Sequence, residues 1–164
     1  MDKQNELFKS AVYMILKQDG KVLIQKRKNT KQWPNYYALP AGHIDRGENQ
    51  YDAVIREAKE ELGIELKKED IINEYVVLRR NYFDINNKKL ESYIDYYFEF
   101  KNFIGTPKIL EEDKCEELLW VDLNNLPEPF VNYIGEFLNN KEMKTYDCII
   151  EGKYTIENFE TGWW

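Results

Sequence analysis

Apolar and polar residues alternate along the chain with a period that changes several times, and each change marks an element. Phe8–Lys17 reads as a strand, broken at Gln18-Asp19-Gly20 and resumed over Lys21–Lys26. Asp-Gly between two apolar runs predicts a hairpin. Lys28–Tyr36 is polar and contains Pro34, so a loop is expected before a short strand, Tyr37-Ala38-Leu39, that stops at Pro40. From Asn49 to Leu62 the period lengthens, and Tyr51, Val54, Ile55, Ala58 and Leu62 fall on one helical stripe. Asn49 stands as N-cap, Asp52 lies in the first turn, and Gly63 occupies the place of a C-terminal cap. Two long strands follow, Ile71–Tyr82 and Leu90–Phe100, with a turn over Asp84–Lys88. In the second, Ser92, Ile94, Tyr96, Phe98 and Phe100 alternate with Tyr93, Asp95, Tyr97 and Glu99. A strand over Glu117–Val121 and a helix over Pro129–Asn139 complete the pattern, while the tail 141–164 shows no clear period. The expected fold class is α/β, a mixed sheet flanked by helices on two sides, in a single domain spanning 1–164.

Composition supports this picture. The 164 residues are 43% apolar and 15% aromatic, enough for one core and too few for two comfortable domains. The N-terminus lacks an apolar stretch of signal-peptide length and no run approaches a membrane span, so a cytoplasmic protein with no membrane partner is expected. Cys115 and Cys148 imply no disulfide framework, and with His43 as the one histidine a zinc site of the His/Cys kind is excluded. Any metal must then be held by oxygen, which points to Mg²⁺ or Mn²⁺. A net charge of −7 argues against a nucleic-acid polymer as partner but not against a polyphosphate bound through cations.

Candidate chemistry concentrates in the first helix. Glu57, Glu60 and Glu61 are spaced i, i+3 and i+4, which puts their carboxylates on one face, away from the apolar stripe. Like charges at that spacing repel, and a divalent cation would relieve them. Arg56 and Lys59 offer a blander relief, so the helix alone suits a solvated acidic face equally well. The segment upstream adds Gly42, then Gly47 and Glu48, ahead of the run Arg56-Glu57-Ala58-Lys59-Glu60-Glu61-Leu62-Gly63-Ile64.

That constellation, Gly42 to Ile64, matches every fixed position of the Nudix box, and the chain resembles the Nudix hydrolases from about Lys9 to Asn139. The resemblance implies an α/β/α sandwich whose box forms a loop–helix–loop. It implies metal ligation by Glu57, Glu60 and Glu61 with the backbone carbonyl of Gly42, and an Arg56 that orients a carboxylate. Glu48 is then the partner of Arg56 or an outer metal ligand. The general base is a box glutamate or an acidic residue from a later loop, where Glu111 and Asp113 are candidates beside Glu112. Context outside the box, Lys114 to Leu123 followed by Asn125-Leu126-Pro127-Glu128, is similar to small bacterial MutT-type members.

The resemblance specifies the reaction class, with a nucleotide-type small molecule as substrate. Hydrolysis of a nucleoside triphosphate to monophosphate and pyrophosphate leads, with ADP-ribose, a nucleotide sugar or a dinucleotide as alternatives. A non-catalytic ligand-sensing domain is disfavoured because no box glutamate is lost, and isopentenyl diphosphate isomerase chemistry because no cysteine precedes Cys115. Arg27 and Lys28, at the end of the second strand, are candidates to meet phosphates. Trp33, Tyr36, Tyr37, Tyr82, Phe83 and Tyr133 are candidates to stack on a base. Trp163 and Trp164 are costly to leave exposed, so the tail is expected to pack on the domain or on a second copy in a homodimer.

Overall fold

The computed structural model describes residues 7–30, 32–84, 89–151 and 155–159. The chain opens with β1 (Phe8–Gln18) and β2 (Lys21–Arg27), joined at the expected hairpin. Asp19 and Gly20 both take positive φ, 51° and 74°, the backbone that lets a two-residue turn follow the twist of its strands. The expected third strand divides into β3 (Tyr37–Ala38) and β4 (Ala41–His43) around Leu39-Pro40. After α1 (Gln50–Glu57) come β5 (Ile71–Asp84), β6 (Lys89–Phe100), β7 (Cys115–Val121) and α2 (Asn132–Asn140). The tail, which carried no legible period, adds β8 (Thr145–Glu151) and β9 (Thr155–Phe159).

The sheet is mixed. Its order is β3-β2-β1-β6-β5-β8-β9, with β4 paired to β1 and β7 to β2. Strand β1 runs parallel to β6, from Phe8 opposite Ser92 to Leu16 opposite Phe100, and β5 runs parallel to β8. Because β1 is central it is buried on both faces, and alternate residues feed two cores. Tyr13 and Ile15 join Tyr97, Phe137 and Leu138 on the α2 side. Val12, Met14 and Leu16 join Val54, Ala58, Leu62 and Phe98 on the α1 side. Helices thus cover both faces, as the α/β/α expectation requires.

Two helix boundaries differ from the sequence reading. The first helix is capped by Asn49, whose side chain accepts from Tyr51 N and Asp52 N at 3.0 and 2.9 Å. Beyond Glu57, however, it widens into a π-turn over Ala58–Leu62 before Gly63 closes it at φ 66°. The second helix begins at Asn132, not Pro129. Backbone groups of Pro129 and Val131 are bonded to Tyr37, at 2.8 and 2.9 Å, and cannot also open a helix. Most of the expected turn at Asp84–Lys88, and the Trp163-Trp164 packing, lie outside the described residues.

Candidate active site

The π-turn carries the acidic stretch on beyond α1, and it distributes the carboxylates unequally. Glu57 is 13% exposed and Glu60 54%. Glu61 has an oxygen, Oε2, buried without a hydrogen-bond partner among the described residues. A π-turn inserts a residue into the helical ladder, and such turns recur at functional sites. Residues Glu57, Glu60 and Glu61 nevertheless line one cavity of about 350 Å³.

Gly42 explains how Glu57 is held. Strand β4 pairs with β1 so that Gly42 lies opposite Val12, and the Glu57 side chain rests directly on it. A Cβ there would lie 2.0 Å from Glu57 Cδ, so any other residue would displace the carboxylate. The glycine is required by close approach.

Arg56 organises the rim. Its Nε and Nη2 donate to Glu48 Oε1 and Oε2 at 2.7 and 3.0 Å, a bidentate pair, and Nη2 also donates to the His43 carbonyl at 3.0 Å. Nη1 donates to Glu57 Oε1 at 2.9 Å and to Glu60 Oε2 at 3.1 Å. Hydrogen bonding to Arg56 holds the Glu48 carboxyl below its ordinary pKa, and the bonds from Glu48 lead in raising that of Arg56. One guanidinium therefore ties β4, the loop and the helix together.

The loop after β6 reaches the site through the helix end. Carbonyls of Glu61 and Leu62, which have no continuing turn to bond, accept from Leu110 N and Lys108 N at 3.2 and 3.1 Å. That pins the loop so that Glu111 lines the cavity together with Lys114, whose Nζ lies 3.6 Å from Glu111 Oε1. Arg27, from the end of β2, lines it too and donates Nη2 to the Gln32 carbonyl at 3.2 Å. Its Nε is buried with no hydrogen-bond partner among the described residues.

The electrostatics of the acidic group are adverse in the free protein. Burial, then the charges of Glu57 and Glu111, push the Glu61 carboxyl up to about 8 from 4.5. Burial also raises Glu57, against the pull of Arg56. A carboxyl raised in the folded state holds its proton after the unfolded chain has lost it, so stability falls as pH rises between those values. Without divalent cations, the shift of Glu61 is worth on the order of 5 kcal/mol. Melting curves in chelator should therefore show a lower Tm at pH 8 than at pH 5.5, and Glu61→Gln should flatten the difference. A Tm that rises over this interval in the wild type would contradict the burial of Glu61.

These residues fit a hard cation. The donors are carboxylate oxygens and a peptide carbonyl, one carboxylate oxygen is buried without partner among the described residues, and Gly42 leaves a space that only Glu57 fills. Among the described residues, no three acidic side chains are gathered at ligand distance, because Glu57 and Glu60 are turned onto Arg56. Glu60 is more than half exposed, so its bond to Arg56 lies at the solvent edge of the group.

Elsewhere the cavity wall is aromatic and cationic, and most of this part was not legible in sequence. Arg79 is buried and donates Nε and Nη2 to Asp95 Oδ2 and Oδ1 at 2.6 and 3.2 Å. Its guanidinium lies 4.0 Å from the Tyr93 ring centre and 4.4 Å from that of Tyr133. Tyr13, Trp33, Tyr93, Tyr133 and Arg79 all line the cavity. Of the aromatic candidates, Trp33 and Tyr133 are thus brought to it, whereas Tyr36, Tyr37, Tyr82 and Phe83 are not. Two other candidates are also placed elsewhere. Lys28 is exposed and reaches the Glu112 carbonyl at 3.5 Å, and Asp113 is exposed with its carbonyl bonded by Asn29. Asp113 leaves the cavity because it follows Glu111 in the turn Glu111–Cys115, where Glu111 lines the cavity and the next two acidic residues are exposed. No helix among the described residues is long and apolar enough to cross a membrane.

Comparison with known proteins places this geometry in a family. The NUDIX domain model matches residues 7–140. An ADP-ribose pyrophosphatase of Methanocaldococcus jannaschii is 30% identical over 118 residues, 72% of this chain and 64% of that protein. An uncharacterised Nudix hydrolase of Listeria monocytogenes is 48% identical over 52 residues, 30% of this chain and 31% of that one. The chain thus spans less than two thirds of the length of either relative. Among solved structures, a MutT Nudix hydrolase from Burkholderia pseudomallei superposes with a TM-score of 0.67 at 28% identity, covering 84% of this chain and 100% of that one. With Glu57 resting on Gly42, Glu57 and Glu60 bonded to Arg56, and the domain match running through both helices, the chain belongs to the Nudix hydrolase family.

Proposed function

We propose that the protein hydrolyses the α–β anhydride of a nucleoside triphosphate, giving a nucleoside monophosphate and pyrophosphate, with Mg²⁺ or Mn²⁺. The observation that carries this reading is one cavity of nucleotide size, about 350 Å³, that joins the acidic residues to Arg27, Lys114 and Arg79 and to an aromatic wall. Glu57, Glu60, Glu61 and the Gly42 carbonyl would hold the cation, which supplies charge neutralisation on phosphate oxygens and a more acidic water. Arg27 and Lys114 line the same cavity and would meet the phosphates there. Glu111 accepts the proton of the attacking water as its oxygen bonds to phosphorus, and the bridging P–O bond breaks to release pyrophosphate. Arg56 positions Glu57 and Glu60 and touches no reacting atom.

A second substrate, ADP-ribose, is favoured by one observation, the 30% identity to the archaeal ADP-ribose pyrophosphatase. Both readings share metal-dependent cleavage of a nucleotide diphosphate linkage, and products separate them. Chromatography after incubation with each triphosphate and with ADP-ribose, plus or minus Mg²⁺, should give pyrophosphate and monophosphate from a triphosphate. AMP and ribose 5-phosphate as the main products would move the assignment to the second substrate. Folded protein inactive on both would overturn the proposal.

A further inference from the structure

The aromatic wall carries more information than the reaction requires. Trp33 is 3% exposed, lines the cavity, and its indole N–H has no hydrogen-bond partner among the described residues. A buried donor left unbonded costs a protein about 1–3 kcal/mol, so an acceptor brought to this point by a ligand would bind favourably. The backbone of Trp33 also adopts φ 57°, a conformation that a bulky side chain takes only where the surroundings impose it. Its ring packs edge-on against Tyr36 at 5.1 Å and against Tyr133 at 6.4 Å.

Tyr133 in turn faces the Arg79 guanidinium, so Trp33 and Arg79 flank the same ring. Arg79 donates to the Tyr13 hydroxyl at 3.4 Å, and that hydroxyl lies 3.0 Å from the hydroxyl of Tyr133. If Tyr13 accepts from arginine and gives its own proton to Tyr133, the Tyr133 proton is left to donate elsewhere. The wall therefore presents an unbonded indole N–H and, in that hydrogen-bond order, a phenolic O–H, beside a guanidinium whose Nε and Nη2 are taken by Asp95 and Tyr13. Aromatic rings beside such donors suit a flat heterocycle that offers acceptors.

We infer that the part of the cavity walled by Trp33, Arg79, Tyr93 and Tyr133 is a nucleobase subsite that reads carbonyl oxygens, so that 6-oxopurine and 4-oxopyrimidine nucleotides bind in preference to amino-base ones. Guanine and uracil carry an oxygen where adenine and cytosine carry an amino group, and a donor-lined wall leaves that amino group facing other donors. The inference deepens the nucleotide reading above and rests on it for the class of ligand, not for any step at phosphorus.

Calorimetric titration with GMP, UMP, AMP and CMP tests it without hydrolysis, so a failed assignment of the reaction leaves the result interpretable. The expected outcome is tighter binding of GMP and UMP, by about tenfold over AMP and CMP. Trp33→Phe removes the N–H and keeps a ring. It should compress the preference to within about threefold while Tm holds or rises, since an unbonded buried donor is lost. Equal affinities for the four, a preference for AMP or CMP, or no binding at millimolar concentration would each overturn the subsite. So would a Trp33→Phe protein that retains the full preference. Should that variant fail to fold, the wild-type ranking decides alone.

Discussion

Glu57→Gln is expected to leave the protein folded and to lower kcat by at least about a hundredfold at saturating Mg²⁺. Glutamine has the volume of glutamate, so it still rests on Gly42, and its amide oxygen can still accept from Arg56 Nη1. What it lacks is the negative charge. Burial already works against that charge, holding the Glu57 carboxyl above its ordinary pKa, so replacing it relieves a cost in the free protein. Tm in chelator should therefore be unchanged or higher, which separates a functional loss from a folding one. The KM for nucleotide should move less than kcat, since Arg27 and Lys114, proposed above to meet the phosphates, are untouched. Thermal melts and steady-state kinetics on the same preparation check both halves. Wild-type turnover in the variant would remove Glu57 from the site.

The acidic half of the site was legible in the sequence because it is local. Glu48, Arg56, Glu57, Glu60 and Glu61 lie within fourteen positions, and helical spacing alone brings four of them together. Even so, the spacing argument assumed a regular helix. Ala58-Lys59-Glu60-Glu61-Leu62 consists of good helix formers, and nothing in their identity announces a π-turn. The widening follows from how the segment closes, with Gly63 and Ile64 amides bonded back to Lys59 and Ala58 and the loop amides of Leu110 and Lys108 added beyond. Asp19-Gly20 was legible for the same local reason, since the turn chemistry is carried by the two residues themselves.

The other half depends on strand register, which alternation does not supply. On β6, Tyr93, Asp95, Tyr97 and Glu99 form the more polar side of the alternation, and a one-sided sheet would show that side to water. Here helices cover both faces, and Asp95 and Glu99 are buried with basic partners. Arg79 stands opposite Tyr93, while Asp95 stands opposite Val77 on one side and Ala11 on the other. The ion pair is thus diagonal across two strands, with the tyrosine directly beneath the guanidinium. Parallel pairing of β1 with β6 then stacks Tyr13 on Tyr97 at 4.5 Å. Each contacting pair joins residues of different strands, so neither partner announces the other in sequence.

Breaking that diagonal pair is expected to have the largest effect on stability in the molecule. Arg79→Met leaves Asp95 as a buried, unpaired carboxylate, and Asp95→Leu leaves a buried guanidinium, so each should cost about 3–5 kcal/mol. For a domain of this size, each kcal/mol lowers Tm by about 2–4 °C, so a fall of roughly 10 °C is expected for either single change. Loss of the cation from between Tyr93 and Tyr133 adds to the first. The double variant Arg79→Met, Asp95→Leu should be more stable than either single one, because no charge is then left without its partner. Chemical denaturation of the four proteins closes the cycle. Additive losses would mean that the two residues act separately, and that the arginine is held by its tyrosines alone. A stable double variant would show instead that the pair is not needed for folding. Its place in a cavity wall, where apolar side chains would pack as well, would then be explained by what the guanidinium presents to a ligand.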